Sequence, residues 1–364
     1  GMEFDPAQMR NVMSNFWEVA LSPVAINKFF HTVFSGWVLA SVFVVGVSCV
    51  FLLRKSNVAM SLRSIKVAGW VGLMGIILTM WTGDGSAVVV SRVQPMKLAA
   101  MEGLYHGSQG QSLVGFGILN PDKTVDNNEK EMLFSIDIPY GLSILANHDA
   151  NSFVPGIKDI IDGVSIDSNG DTINTVSYAE RIQRGKSAQN ALRIYNDAYN
   201  NNDTLAMEVA SKALAQDYQY FGYGYYNNPS DLVPPVGVTF YAFRVMVMAG
   251  GYLLIFLLLM VFVVYRKPAL AEKKWLGWLG VISIPIVWIC SQAGWVVAEV
   301  GRQPWVIQDL MPTCAGVSAI SESSVQLTFW IFAVLFTAML IAEISIMVRY
   351  IARKLKTDIE NSND

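Results

Sequence analysis

The chain has 364 residues, of which 53% are hydrophobic and 15% charged, and its formal net charge is −3. A mean hydropathy of +0.38 is typical of a membrane protein that also carries a substantial water-exposed part. This charge balance gives no support for nucleic-acid binding, and the large polar segment contains no cysteine, which excludes a disulfide-stapled module there.

Five apolar runs are each long enough to cross a bilayer as a helix, which requires about 20 residues. They cover 33–53, 67–91, 237–265, 275–298 and 325–348. Because none of these runs alternates with period 2, helices are favoured over the strands of a membrane barrel. The sequence therefore predicts an all-α membrane protein, with five transmembrane helices and a large outer segment between the second and the third.

Basic residues predict the orientation, because short loops rich in Lys and Arg face the cytoplasm. Three basic clusters fall on one side of the five-helix arrangement: Arg54, Lys55, Arg63 and Lys66; Arg266, Lys267, Lys273 and Lys274; and Arg349, Arg353, Lys354 and Lys356. We therefore expect an outer interfacial segment at 1–22, two transmembrane helices within 23–91, an outer loop at 92–236, three helices within 237–348, and a cytoplasmic tail at 349–364.

The first 22 residues are unusual for this topology, because they must lie outside although no signal peptide precedes them. Missing upstream helices explain this more simply than the transfer of a short tail, so we expect an N-terminally truncated polypeptide. Apolar residues at helical spacing predict a short interfacial helix over 6–20. Ser22-Pro23 then marks the start of the first transmembrane helix.

The outer segment combines helical and loop-like stretches. Helical patterns cover 92–105 and, as two helices, 176–217. The Gly/Asn/Asp-rich stretches 107–128 and 162–174 are typical of loops. Residues 132–146 are apolar and are expected to pack on the membrane-facing surface.

Ionisable side chains and potential iron ligands within membrane helices are costly or rare, and they mark candidate functional sites. Here they are His31, Asp84, Arg244, Met246, Glu299 and Arg302. Because successive helices run in opposite directions, all of them converge at the outer level of the bilayer. Such convergence is typical of a cofactor cluster held between helices. His106 and His148 lie on outer loops without ligand spacing, so no metal site is expected there.

Each candidate also has a plainer structural interpretation. A single histidine at a helix start is more often a solvated interface residue, and Met246 is one of 16 methionines, most of which fill apolar cores. Together, however, His31 and Met246 are a pair that haem iron accepts. Arg244 could reach a haem propionate. Glu299 and Arg302 are three residues apart, so a simple ion pair is as good an explanation as iron ligation.

Several strings point to one family when they are taken in order. They are KFFHTVFSGW, WTGDGSA followed by VQPMKLAAMEG, YAFRVM and AGWVVAEVGRQPW. They resemble subunit I of the bacterial cytochrome bd quinol oxidases, and the block ending in GRQPW is the most specific. The resemblance covers nearly the whole chain and is weakest over 107–230. Members of that family begin with four further helices, which agrees with the expected truncation, and the long outer segment is similar to that of the long-Q-loop members.

The resemblance implies roles for the low-spin haem site and for quinol oxidation. His31 and Met246 look like the two axial ligands of haem b558, with Arg244 beside that haem. Lys97 and Glu102 match positions implicated in quinol oxidation at the start of the outer Q loop. Glu102 would accept a quinol proton while Lys97 positions the headgroup.

The resemblance also implies a high-spin haem. Glu299 looks like the axial ligand of haem b595, Trp295 like the aromatic residue between haems, and Arg302 like a propionate partner. The family's haem d ligand has no counterpart in these residues, so this fragment alone is expected to be inactive.

The implied function is oxidation of membrane quinol and reduction of O2 to water, which contributes to a proton gradient. Subunit II, small accessory subunits and a bacterial inner-membrane location are implied with it. One alternative is a haem b electron-transfer cytochrome that is not a terminal oxidase. Another is a transporter or receptor with an outer ligand-binding segment, which would need charged groups along the bilayer midplane.

Overall fold

The computed structural model describes residues 2–5, 10–166, 171–318 and 320–363. Its elements in chain order are β1 (Met2–Asp5), β2 (Arg10–Met13), α1 (Phe16–Ala20), α2 (Pro23–Leu53), α3 (Val58–Val93), α4 (Pro95–Glu102), β3 (Ser108–Gln109), β4 (Leu113–Leu119), β5 (Met132–Ile138), α5 (Gly141–Asn147), β6 (Phe153–Val154), α6 (Ile157–Asp162), β7 (Val164–Ile166), β8 (Thr172–Asn174), α7 (Tyr178–Asn200), α8 (Thr204–Asp217), α9 (Val236–Arg266), α10 (Pro268–Ala271), α11 (Lys274–Val300), β9 (Trp305–Ile307), β10 (Met311–Pro312) and α12 (Glu322–Asn363). Two 3-10 helices, Tyr218–Tyr225 and Pro229–Leu232, precede α9.

In the part of the chain that the structure describes, five helices are long and apolar enough to cross a membrane: α2, α3, α9, α11 and α12. The predicted all-α membrane architecture is confirmed, because the strands in the described part of the chain form only two-stranded antiparallel sheets. The paired strands are β1–β2, β3–β6, β4–β5, β7–β8 and β9–β10.

The turn from α3 into α4 follows from local sequence. Pro95 cannot continue a helix because it lacks an N–H, yet it suits the first position of a new one. Accordingly, α3 ends at Val93 and α4 begins at Pro95. Gly103 ends α4 in the left-handed region at φ 63°, where glycine has no steric penalty. These two breaks isolate a short helix that is buried throughout and carries Lys97 and Glu102.

Three sequence predictions outside the membrane helices need correction. The helix expected over 6–20 covers only Phe16–Ala20, and 6–9 lie outside the described residues. The stretch 107–128 was expected to be a loop but contains β4, because its Val, Phe and Ile suit a strand and the apolar β5 offers a partner. The stretch 162–174 likewise contains β7 and β8, which pair with each other; 167–170 between them are not described.

By their internal contacts, the residues form two compact units. The first comprises Gly1–Ser35, Ile76–Gly250 and Ile289–Gly316. One of its buried clusters joins α4, α6, α7 and the two 3-10 helices, and includes Tyr223 and Trp305.

The second unit comprises Gly36–Gly75, Gly251–Trp288 and Val317–Asp364. In it α2 and α11 cross closely through glycine: a Cβ atom added to Gly46 would lie 2.9 Å from the carbonyl oxygen of Gly280. Small residues of this kind let membrane helices approach each other.

Candidate functional site

His31 lies on α2 against the C-terminal part of α3. Its Nδ1 is 3.0 Å from Oγ1 of Thr82, whose side chain is buried. A Cβ atom added to Gly83 would be 3.5 Å from Cε1 of His31, so the ring lies close to this glycine position. One turn earlier on α2, Nδ2 of Asn27 donates to the carbonyl of Thr82 at 3.1 Å and to Oγ of Ser86 at 2.8 Å.

Met246 lies on α9 and contacts α11. A Cβ atom added to Gly294 would be 3.1 Å from Sδ of Met246, and Sγ of Cys290 donates to the Met246 carbonyl at 3.4 Å. Among the described residues, the side chain of His31 contacts α3, whereas Met246 contacts α11. That the two side chains share one iron therefore stays a prediction.

Glu102 and Arg244 form a buried ion pair, although 142 positions separate them. Nη2 of Arg244 donates to Oε2 of Glu102 at 2.6 Å, and Nη1 donates to Oε1 at 3.3 Å. Only 2% of Glu102 and 4% of Arg244 is exposed. Burial raises the pKa of Glu102, while the adjacent Arg244 charge and its hydrogen bonds act to lower it. The site thus holds a carboxyl group whose affinity for a proton is increased by its surroundings.

The Arg244 guanidinium, expected beside a haem, is engaged by this carboxylate. It also lies over two aromatic rings, 4.5 Å from the centroid of Phe240 and 5.2 Å from that of Phe243. Its Nε atom is buried and has no hydrogen-bond partner among the described residues. One donor of this arginine is therefore left for a group other than Glu102.

Lys97 points from α4 to the end of α11. Its Nζ donates to the carbonyl of Ala298 at 3.3 Å, and only 8% of the residue is exposed. A cation at the last turn of a helix is stabilised by the carbonyl groups that remain unpaired there. Burial, followed by the nearby charges of Lys28 and Arg302, lowers the pKa of Lys97 to about 8, and Glu299 partly offsets them.

Glu299 and Arg302 pair at the C-terminal end of α11. Nη2 of Arg302 donates to Oε2 of Glu299 at 2.5 Å, and both side chains are partly exposed. Within the described part of the chain, Oε1 of Glu299 accepts no hydrogen bond. Trp295 lies one turn earlier on α11, and 63% of it is exposed. The ion pair therefore exists, and it leaves one carboxylate oxygen for another partner.

A model of the family described as cytochrome bd terminal oxidase subunit I matches residues 1–355. The chain belongs to this family. Its similarity to named relatives agrees: it is 31% identical to cytochrome bd-II ubiquinol oxidase subunit 1 of Escherichia coli K12 over 96% of this chain and 66% of that protein. It is 26% identical to cytochrome bd ubiquinol oxidase subunit 1 of Bacillus subtilis 168, over 97% of this chain and 61% of that protein.

The structure of a bd oxidase from Geobacillus thermodenitrificans has the same fold, with a TM-score of 0.69 at 21% identity. The alignment covers 97% of this chain and 63% of that one. The chain thus spans less than two thirds of the length of these curated relatives and of this solved structure.

Two features of this bd-family subunit were not predicted from its sequence. Oδ2 of Asp84 on α3 is 2.9 Å from Nε2 of His148, which follows α5 in a left-handed conformation. Oγ of Ser91 donates to the carbonyl of Ala146 at 2.9 Å. Both contacts hold α5 against the C-terminal end of α3. No sequence pattern could have revealed them, because each joins residues more than 50 positions apart.

A cavity of about 270 Å³ opens beside Glu102 in the outer segment. Its lining includes the acidic residues Glu102, Glu131 and Asp137 and the apolar residues Val114 and Leu142. The carboxylate of Glu131 also accepts hydrogen bonds from the backbone N–H groups of Tyr105 and His106, at 2.9 and 3.0 Å, which holds the start of the outer loop in place. The buried ion pair is thus adjacent to an opening lined with further carboxylates.

Proposed function

We propose that this chain is the haem-binding subunit of a terminal oxidase, which oxidises membrane quinol and reduces O2 to water. The observation that carries the proposal is the buried Glu102–Arg244 pair, in which two separate family motifs meet at the outer level of the membrane helices. Its support from the comparisons is family membership over residues 1–355. The named relatives are themselves described as ubiquinol oxidase subunits.

For the low-spin haem b558, the proposed ligands are His31 and Met246. A thioether and an imidazole suit haem iron, and the methionine raises the reduction potential. The residues present fit such a group: His31 supplies an imidazole and Met246 a thioether, and among the described residues a Cβ added at Gly250, one turn from Met246, would stand in open space beside the helix. The unpaired Nε of Arg244 would offer a donor to a propionate.

For the high-spin haem b595, the proposed ligand is Glu299 through the oxygen that Arg302 does not engage. Arg302 keeps a buried Nε without a partner among the described residues, which suits a propionate. Trp295 would provide an aromatic wall between haems. We infer that haem d completes the electron path; when bound, the haems supply electron transfer and oxygen chemistry.

For quinol oxidation, Glu102 would accept a proton and Lys97 would position the headgroup. Burial favours proton uptake by Glu102. Once protonated, Glu102 would leave Arg244 with less charge compensation, which favours passing the proton on. The nearby cavity, with Glu131 and Asp137 in its lining, gives that proton a path away from the ion pair.

We infer an assembly with subunit II and small accessory subunits in a bacterial inner membrane. The basic clusters at the end of α2, between α9 and α11, and late in α12 would face the cytoplasm. The Q loop, 92–236, would then lie on the periplasmic side.

The test is a reduced-minus-oxidised optical spectrum of the intact oxidase, together with its rate of quinol oxidation. We expect low-spin and high-spin b signals, and His31→Ala should abolish the low-spin one because iron loses an axial ligand. His106→Ala is the matched control, since His106 is exposed and lies in the outer loop. An unchanged low-spin signal in His31→Ala would contradict the assignment of His31 as a haem ligand. Absence of b haem from the wild-type complex would contradict the proposed oxidase function.

A further inference from the structure

Three polar contacts join α2 and α3 at the level of His31, and two of them are between side chains. One is Nδ1 of His31 with Oγ1 of Thr82 at 3.0 Å, and the other is Nδ2 of Asn27 with Oγ of Ser86 at 2.8 Å. On each helix the two partners are four residues apart, so they lie on one face. Thr82 is only 6% exposed. A hydroxyl group buried among apolar helices must donate a hydrogen bond to an acceptor in the protein.

The single hydroxyl hydrogen of Thr82 determines which nitrogen of His31 carries its proton. Oγ1 of Thr82 lies 2.9 Å from the carbonyl oxygen of Leu78 and 3.1 Å from that of Thr79, both on its own helix. Carbonyl oxygens can only accept, so the hydroxyl must donate to one of them. It therefore accepts from Nδ1–H of His31. The reverse arrangement would set the hydroxyl oxygen against two carbonyl oxygens with no hydrogen between them.

We propose that Thr82 is a positioning residue that keeps His31 in its Nδ1–H tautomer and fixes the plane of its ring. In that tautomer Nε2 carries the lone pair, and it is the nitrogen that iron would bind. The proposal rests on the proposed function, in which His31 is an axial ligand. Gly83 supports it, since Cε1 of the ring would be in van der Waals contact, at 3.5 Å, with a Cβ at that position, so a longer side chain there would meet the ring.

The hydrogen bond to Nδ1–H also tunes the ligand. It increases the basicity of the imidazole, and a more basic ligand favours the ferric over the ferrous state. Loss of such an outer partner typically weakens metal binding about 10- to 100-fold. If the affinity of the site for ferric haem falls about tenfold more than its affinity for ferrous haem, the midpoint potential rises by about 59 mV for a one-electron couple.

The experiment is a redox titration of the low-spin b signal in the intact oxidase carrying Thr82→Val, which removes the hydroxyl and keeps the shape. We expect a higher midpoint potential and a reduced low-spin haem content, both restored in Thr82→Ser. The matched control is Thr328→Val, because Thr328 lies on α12 and its hydroxyl donates to the Ser324 carbonyl of its own helix, at 2.8 Å. That control should keep the wild-type potential and haem content.

A wild-type potential and haem content in Thr82→Val would overturn the proposal. Thr82→Ala is a second variant in case Val prevents assembly. If neither assembles while Thr82→Ser does, the residue serves folding and the proposal is also overturned. Failure of the premises looks different: a low-spin signal that persists in His31→Ala would overturn the ligand assignment, and absence of b haem from the wild-type complex would overturn the proposed function.

Discussion

The Glu102–Arg244 pair shows how two opposite charges are kept inside an apolar region. Removing both ions from water costs several kcal/mol each, and only good geometry with additional contacts offsets that cost. Here two parallel N–H···O bonds join the groups, and the guanidinium also lies over Phe240 and Phe243. Such a pair is retained where a charge is needed, which agrees with its proposed role in quinol oxidation.

We predict that Glu102→Gln assembles but oxidises quinol about 100-fold or more slowly, because the general base is lost. Glutamine keeps one oxygen to accept a hydrogen bond from Arg244, whereas Glu102→Ala leaves a buried unpaired charge and should cost about 3–5 kcal/mol of stability. The measurements are quinol oxidation, oxidation of an artificial electron donor, and thermal unfolding. If assembled Glu102→Gln lost oxidation of quinol and of the artificial donor together, a role of Glu102 in quinol oxidation alone would be contradicted.

Glu299 permits a separate prediction, because ligation and the ion pair make different demands on its carboxylate. Glu299→Gln should remove the high-spin b signal and disturb haem d while leaving b558 intact, since an amide is a poor iron ligand. If pairing with Arg302 were its only role, the same change should cost stability and keep every haem. Optical and paramagnetic resonance spectra distinguish these results. Glu322→Gln, at the exposed start of α12, is the control.

Among the elements, sequence predicted those whose pattern is long and local. The five membrane helices were predicted because each is an unbroken apolar run, and Pro95 marks the break before α4. The strand β4 was missed because Gly115 and Gly117 interrupt its apolar residues and its pairing with β5 depends on residues distant in sequence.

At the candidate site, sequence showed which residues were chemically unusual but not how they pair. The neighbours Glu299 and Arg302 were recognised as a possible pair from their spacing alone. Glu102 was not connected with Arg244, nor His31 with Thr82, because partners on different helices depend on packing that no local pattern encodes.

The close crossing of α2 and α11 gives a prediction at the level of elements. Gly46→Ala should destabilise the protein by about 1–3 kcal/mol, since the new Cβ would lie 2.5 Å from Cγ1 of Ile284 and the helices would have to separate. Gly237→Ala is the control, as no atom lies within 4 Å of a Cβ there and alanine favours the helix. Thermal unfolding in detergent compares the two variants. Equal stability of both would show that the crossing tolerates separation.

Over the whole molecule, the distribution of charge suggests how the chain lies in its membrane. The basic clusters follow α2, lie between α9 and α11, and continue late in α12, whereas the proposed haem ligands and the cavity lie near the opposite helix ends or in the outer segment. Electrons taken from quinol at the outer level would therefore be separated from the cytoplasmic side. In the proposed function, that separation would let quinol protons leave outside and contribute to a proton gradient without a pump.

The native thiols give a direct measurement of this orientation. Cys314 is exposed in the loop after α11, while Cys49 is buried and Cys290 is half-buried within membrane helices. We predict that a membrane-impermeant maleimide labels Cys314 in right-side-out vesicles and not in inside-out ones, because the proposed topology places this loop on the periplasmic side. Cys314→Ser should abolish the labelling, and detergent-solubilised protein shows that the thiol can be reached. Labelling confined to inside-out vesicles would reverse the proposed topology, and with it the side on which quinol protons are released.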